Sequence, residues 1–364
     1  MTIQNITNYI EELAPLQYAE DFDNVGLLIG NYNTEVTGIL VTLDTLEQTV
    51  DEAIAKNCNL IVSFHPIIFG GLKKINGNNY VERVVLKAIQ NNIAIYATHT
   101  ALDNSKNGVS AKMCEVLGLM NTKILIPKKG IIKKLTTYVP ADEASALKEK
   151  LFEAGAGSLG NYDLCSFDVK GETSFRGNED SNPTYGNKGE LTKREETKIS
   201  VVFESKNESA ILKALKGNHE YEEVAYEIVT TDNVYQNIGM GMIGEFETEM
   251  DEKDFLVFIK KTMKTDCVRH SALINKKIKK VAVLGGSGSF AISNAKKAGA
   301  DAYISADFKY HEFFKAENSI LLADIGHYES EQFTKNLLVD YLTKKFSNFA
   351  VILSEKSTNP IYYI

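Results

Sequence analysis

The sequence predicts an α/β protein: a mostly parallel sheet domain formed by both chain ends, interrupted by an inserted α+β domain of ferredoxin-like order. Three observations predict it. Short apolar runs alternate with helical stretches between residues 38 and 103, as β-α units do. The same alternation returns between residues 280 and 331. Between the two blocks, residues 130–229 read strand, helix, strand, strand, helix, strand. The implied boundaries are 1–125 plus 237–364 for the α/β domain and 126–236 for the insert.

The elements follow in order. Ile3, Ile6, Ile10 and Leu13 keep a helical spacing, so the chain opens on an amphipathic helix. Residues 21–30 are rich in turn formers and lead into a strand. An apolar run over 38–43 ends at Asp44, and a helix follows over 46–56. Leu60-Ile61-Val62 ends at Ser63-Phe64-His65-Pro66. A helix over 80–91 leads to a strand over 93–97, which ends at Thr98-His99-Thr100-Ala101-Leu102-Asp103. These runs are apolar nearly throughout, as strands covered on both faces are. In the insert the strands fall at 131–138, 161–169, 198–203 and 223–228, with helices at 142–154 and 207–215. Residues 171–196 read as a long polar loop, either functional or a plain surface excursion. Later strands over 280–284, 302–305 and 320–323 end at a glycine cluster, at Asp307 to His311, and at Asp324 to Glu331.

Composition narrows the function. The chain has 364 residues, 44% hydrophobic, and a formal charge of −8, so non-specific binding to nucleic acid or to acidic membranes is not expected. Cys58, Cys114, Cys165 and Cys267 form no C-x-x-C pair and read as reduced thiols. No apolar run approaches the ~18 residues of a membrane span, and the N-terminus lacks the pattern of a signal peptide. The expected location is the cytoplasm.

In open α/β sheets, ligands bind beyond the carboxyl ends of the strands. Those ends carry Asp44, His65, His99, Asp103, Asp307, His311, His327 and Glu331. His327 and Glu331 are four apart at the start of a helix, so they share a face and make half of a metal site. The competing reading of that stretch is a solvated helix start. His219 and His270 lack such a setting and read as structural. Gly286-Ser287-Gly288-Ser289-Phe290-Ala291 also fits a dinucleotide fingerprint, with Asp307 as the acid beyond it. That reading leads to a nicotinamide-dependent oxidoreductase. It leaves His65, Asp103, His327 and Glu331 without roles. Alternatively, the N–H groups of the loop cradle a substrate phosphate.

Several stretches together resemble one family. They are Asp-Asn-Val-Gly-Leu at 23–27, Ser-Phe-His-Pro-Ile-Ile-Phe at 63–69 and Thr-His-Thr-Ala-Leu-Asp at 98–103. To them add Gly-Gly-Ser-Gly-Ser at 285–289, Asp-Phe-Lys-Tyr-His at 307–311 and Gly-His-Tyr-Glu-Ser-Glu at 326–331. The chain resembles the GTP cyclohydrolase I type 2 homologues, also called Nif-three-like. Its insert resembles the PII-like domain of the longer bacterial members. The resemblance implies a two-metal centre and a toroidal homohexamer. Matched motif by motif, the metal ligands fall on His65, Asp103, His327 and Glu331. Where the family commonly has His-His-Pro, this chain has Phe64-His65-Pro66, so one of the two metals lacks a ligand.

The expected function is therefore a divalent-metal-dependent hydrolase of a nucleotide-like small molecule. Zinc, iron and manganese all suit mixed His/carboxylate ligands, at one or two ions per chain. GTP cyclohydrolase chemistry begins with water attack at purine C8, and a metal-bound water of lowered pKa suits that step. His99 and His311 are candidate acid/base groups and Lys309 a candidate phosphate contact. Each of the three equally suits a role in orienting the ligands. An alternative from another class is a metal-binding regulatory protein without turnover, with the insert as its sensor.

Overall fold

The computed structural model describes residues 1–364. The chain forms two compact units, Met1–Pro127 with Gln236–Ile364, and Lys128–Tyr235. In chain order the first part holds α1 (Ile3–Leu13), β1 (Gly26–Ile29), β2 (Ile39–Thr42), α2 (Glu47–Ala55), β3 (Leu60–Ser63) and α3 (Tyr80–Gln90). It continues with β4 (Ala94–Ala97), α4 (His99–Asp103), α5 (Val109–Leu117) and β5 (Met120–Lys128). The smaller unit holds β6 (Ile132–Pro140), α6 (Ala144–Glu153), β7 (Ser166–Phe175), β8 (Thr192–Glu204), α7 (Glu208–Gly217) and β9 (Tyr226–Thr230). The chain then makes β10 (Tyr235–Met250), α8 (Glu252–Thr262), β11 (Arg269–His270), β12 (Ile278–Ser287), α9 (Ile292–Lys297) and β13 (Ala302–Ala306). It closes with β14 (Leu321–Asp324), α10 (His327–Glu331), α11 (Thr334–Lys345) and β15 (Val351–Leu353).

The larger unit has two sheets. The first runs β1-β4-β3-β2-β15, with β4, β3, β2 and β15 parallel and β1 antiparallel to β4. Side chains alternate across a strand, so Val41, Val62 and Tyr96 share one face, packed with Ile3, Ile6 and Ile10 of α1 and Leu338 and Leu342 of α11. Leu40, Ile61 and Ile95 share the other, against Val50 of α2 and Val84 and Val85 of α3. Full burial of each such side chain is worth about 1.5–3 kcal/mol, which explains apolar strands without a polar face. Asn79 starts α3 by accepting the Glu82 N–H at 2.9 Å.

The second sheet runs β11-β14-β13-β12-β10-β5. In it β12, β13 and β14 are parallel, while β11 and β10 are antiparallel to β14 and β12. One face packs Val281, Val283, Ile304 and Ala323 against α5 and α8, the other packs Ala282, Tyr303 and Leu322 against α9. The long β10 and its neighbour β5 have no clear apolar period, so the sequence predicts neither. No helix is long and apolar enough to cross a membrane.

The smaller unit has one sheet in the order β7-β8-β6-β9, every pair antiparallel. Leu135, Val139, Ile199 and Phe203 meet Leu147 and Leu151 of α6 and Ile211 and Leu215 of α7. The expected loop over 171–196 is shorter than the sequence suggested. Gly171 to Phe175 pair with Thr192 to Glu196, which leaves residues 176–191 as the connection. β7 is largely exposed, and the strand expected at 161–169 overlaps it only over residues 166–169.

Candidate metal centre

Three histidines stand just past the strands of the larger unit, each with a carboxylate on Nδ1. His65, two residues after β3, has Nδ1 2.7 Å from Asp44 Oδ1. His327, the first residue of α10, has Nδ1 2.7 Å from Asp307 Oδ2. His99, the first residue of α4, has Nδ1 2.7 Å from Asp23 Oδ1. A carboxylate there accepts a hydrogen bond from the Nδ1–H, which fixes the proton on Nδ1 and leaves the Nε2 lone pair to act as a ligand. The carboxylates are held in turn. Thr358 donates to Asp44 Oδ2 at 2.5 Å, Ser287 donates to Asp307, and the Thr100 N–H and hydroxyl donate to Asp23 at 3.0 and 2.5 Å.

Two of the imidazoles converge on one atom. Nε2 of His65 and Nε2 of His327 lie 3.2 and 3.3 Å from Glu331 Oε2. Glu331 is buried, and neither approach has the alignment of a hydrogen bond, so Oε2 has no hydrogen-bond partner. One ligand atom from each of the three residues falls within a 4.8 Å group. A buried, orphaned carboxylate oxygen facing two ring nitrogens fits a divalent cation. The electrostatics agree. Burial alone would lower the His65 imidazole, but Asp44 and Glu331 hold its pKa at about 10. Burial likewise opposes the His327 cation, and Asp307 and Glu331 raise it to about 11. Burial would raise Glu331, yet the same two imidazoles hold it down at about 2. Without a metal, two protons supply the positive charge that these carboxylates demand.

Asp103, the last residue of α4, lines the same cavity, of about 220 Å³, with His99, His327 and Glu331. Burial and the Glu331 charge push its carboxyl well above the usual range, and the His65 charge opposes them. The structure therefore gathers His65, Asp103, His327, Glu331 and His99 at one place. His311 and Lys309 are exposed beyond β13 and do not line the cavity. Phe64 is fully buried among Ile3, Ile6 and Ile10, with its ring centre 4.9 Å from that of His65 and 5.7 Å from that of His99.

The glycine cluster has a local task here. Gly286 has φ +68°, and a Cβ on it would meet Glu331 Oε1 at 2.4 Å and His327 Cε1 at 3.3 Å. Its N–H donates to Ser330 Oγ at 2.8 Å, so it does not point at a phosphate. Asp307, the ribose candidate of the dinucleotide reading, is engaged by His327 and Ser287. The sequence does not reveal Asp23, Asp44 and Asp307 as the Nδ1 partners of the three histidines. Asp44 and Asp307 carry a signal in their position just past β2 and β13, whereas Asp23 lies in the turn before β1. Thr358, 314 residues from Asp44, had none.

The chain is 36% identical to the GTP cyclohydrolase 1 type 2 homolog of Bacillus subtilis (strain 168), over 99% of this chain and 98% of that one. It is 33% identical to the protein of the same name from Staphylococcus aureus (strain MRSA252), over the full length of both. A crystal structure of a Bacillus cereus protein related to NIF3 superposes with a TM-score of 0.84 at 34% identity, covering 100% of this chain and 99% of that one. The sequence profile of Duf34/NIF3 (NGG1p interacting factor 3) matches residues 1–360, and this chain belongs to that family.

Proposed function

We propose that the protein is a divalent-metal-dependent hydrolase of a nucleotide-like substrate, with ring opening of GTP as the reaction to test first. The observation that carries the reading is Glu331 Oε2, buried without a hydrogen bond between two imidazole Nε2 atoms. His65, His327 and Glu331, with Asp103 beside them, would hold zinc, iron or manganese. A divalent ion held by these residues would supply Lewis acidity and water activation. Asp44 and Asp307 orient the two imidazoles through Nδ1. His99, oriented by Asp23, faces the same cavity and is placed to move a proton at the substrate. Phe22 and Phe290, both more than half exposed, line the cavity and offer faces to a purine ring. The names of the B. subtilis and S. aureus relatives support the choice of GTP.

The same proposal includes a PII-like insert over 126–236, a mostly parallel sheet domain around it, a homohexameric assembly and a cytoplasmic location. Four free cysteines support the last. Light scattering of the purified protein tests the hexamer. The activity test is formate release from GTP by metal-loaded protein, with chelated protein and Glu331→Gln as controls. Release that needs both the metal and Glu331 supports the reading. Metal retained with no turnover of GTP or other nucleotides would replace it with a regulatory role.

A further inference from the structure

The smaller unit contains a cavity of about 690 Å³, and the connection 176–191 forms much of its wall. Tyr138, Phe175, Tyr185 and Tyr221 line it. The Tyr221 ring lies 6.4 Å from Phe175 and 6.1 Å from Tyr185, centre to centre, so three of the rings form one cluster. The connection is fastened in place. The Asn182 N–H donates to Glu222 Oε2 and the Tyr185 hydroxyl to Glu220 Oε2, each at 2.7 Å, and the Arg194 guanidinium lies 3.6 Å from the Tyr185 ring centre. A long polar segment fastened over a space of this size is what a binding loop looks like.

The polar groups indicate what the space accepts. Thr173 lines the cavity, and its buried hydroxyl has no partner. Glu196 is buried in the wall, where one carboxylate oxygen accepts the Tyr221 hydroxyl. Asp180, Glu222 and Glu223 add three more carboxylates, against Arg176 as the one cation of the lining. Arg194, stacked on the Tyr185 ring, and Lys198, 5.9 Å from the Tyr138 ring centre, offset two further charges, and the balance stays negative. An anion such as a nucleotide phosphate would be repelled here. A cation gains twice, from the carboxylates and from the rings of Phe175 and Tyr221.

We propose that this cavity binds an organic cation, an amine or guanidinium carried on a flat or apolar body, and that the insert is a binding module for such a molecule. The site lies wholly within residues 138–225, so it does not depend on the metal centre.

The test compares two probes with the same body and opposite charge, phenethylammonium and phenylacetate. Each is titrated into the full-length protein with chelator present, by calorimetry and ligand-observed NMR. We expect phenethylammonium to bind at least tenfold more tightly. Glu196→Gln keeps an acceptor for Tyr221 but removes the charge, and should weaken binding about tenfold, or 1.4 kcal/mol. If that variant misfolds, Asp180→Asn, on the exposed rim, should weaken it in the same direction. Glu331→Gln should leave it unchanged. Equal binding of the two probes, preference for the anion, no binding of either, or insensitivity to both carboxylate variants would each overturn the proposal.

Discussion

The centre of the candidate site is one atom, Glu331 Oε2, and the residues around it divide into those that would touch a metal and those that aim them. Asp307→Asn keeps the shape of the partner of His327 Nδ1 but removes its charge. Loss of such a supporting group typically costs ~10–100-fold in metal affinity. We expect that loss for Asp307→Asn and a larger one for Glu331→Gln and His327→Ala, with circular dichroism unchanged. Elemental analysis after matched dialysis checks it, and full metal content in all three would remove the basis of the site. Phe64 poses a different question, because its ring is fully buried and adjoins the rings of His65 and His99. Phe64→His should raise metal stoichiometry at limiting metal. In the apo protein it should lower stability by about 1–3 kcal/mol, because a buried imidazole would lack a partner. Elemental analysis measures the first effect and thermal unfolding without metal the second. A variant that gains no metal would show that Phe64 is packing alone.

At the scale of elements, the site depends on backbone that few residues tolerate. His99 sits at φ +26° and Asp307 at φ +57°, the first at the start of α4 and the second just after β13. Such strain persists only where the surroundings enforce it, and it gathers at functional sites. Gly286 meets the same demand without a side chain. Gly286→Ala should push Glu331 aside and abolish metal binding. Gly189→Ala, with φ +78° but open space around it, should cost only the ~1–2 kcal/mol of backbone strain and keep the metal. Equal metal loss in both would point to general destabilisation. Asp301 joins β12 to β13 through the N–H groups of Lys279 and Lys280, at 3.1 and 2.8 Å. Burial alone would raise its pKa, but Lys276 and those N–H groups bring it below the ordinary value. A carboxylate with a depressed folded pKa stabilises above its unfolded pKa, ~3.9, and loses that contribution as pH falls through the folded value. Asp301→Asn should therefore be less stable than the natural protein at neutral pH and approach it below roughly pH 4. Urea unfolding across that range decides it, and a constant difference would sink the assignment.

For the whole molecule, the division into two units has a direct consequence. β5 ends at Lys128 and β10 begins at Tyr235, and the two strands are neighbours in one sheet. Removing residues 129–234 and joining the ends with a short turn should leave a protein that unfolds cooperatively and still binds metal. All the proposed ligands lie outside the excised span. Loss of both properties would show that the larger unit does not stand alone.

The parallel strands β2, β3, β4, β12, β13 and β14 were legible in the sequence because burial on both faces leaves them almost no polar residue. The pair His327 and Glu331 was legible because helical spacing is a local property. β5, β10 and most of β7 were not, because their exposed residues break the apolar period on which such reading depends. The packing of Phe64 was not legible either, since an aromatic side chain at a strand end is equally compatible with core and with cavity. By itself, then, the sequence determined the alternation of elements and the set of His and Asp residues at the strand ends. Only the tertiary structure decided which of those residues meet. It brought Asp44 to His65, Asp23 to His99 and Asp307 to His327, and turned two of the three imidazoles onto Glu331 while His311 stayed outside. Such meetings join residues far apart in the chain, and their energy comes from charges approaching in a shared buried space that no local pattern encodes.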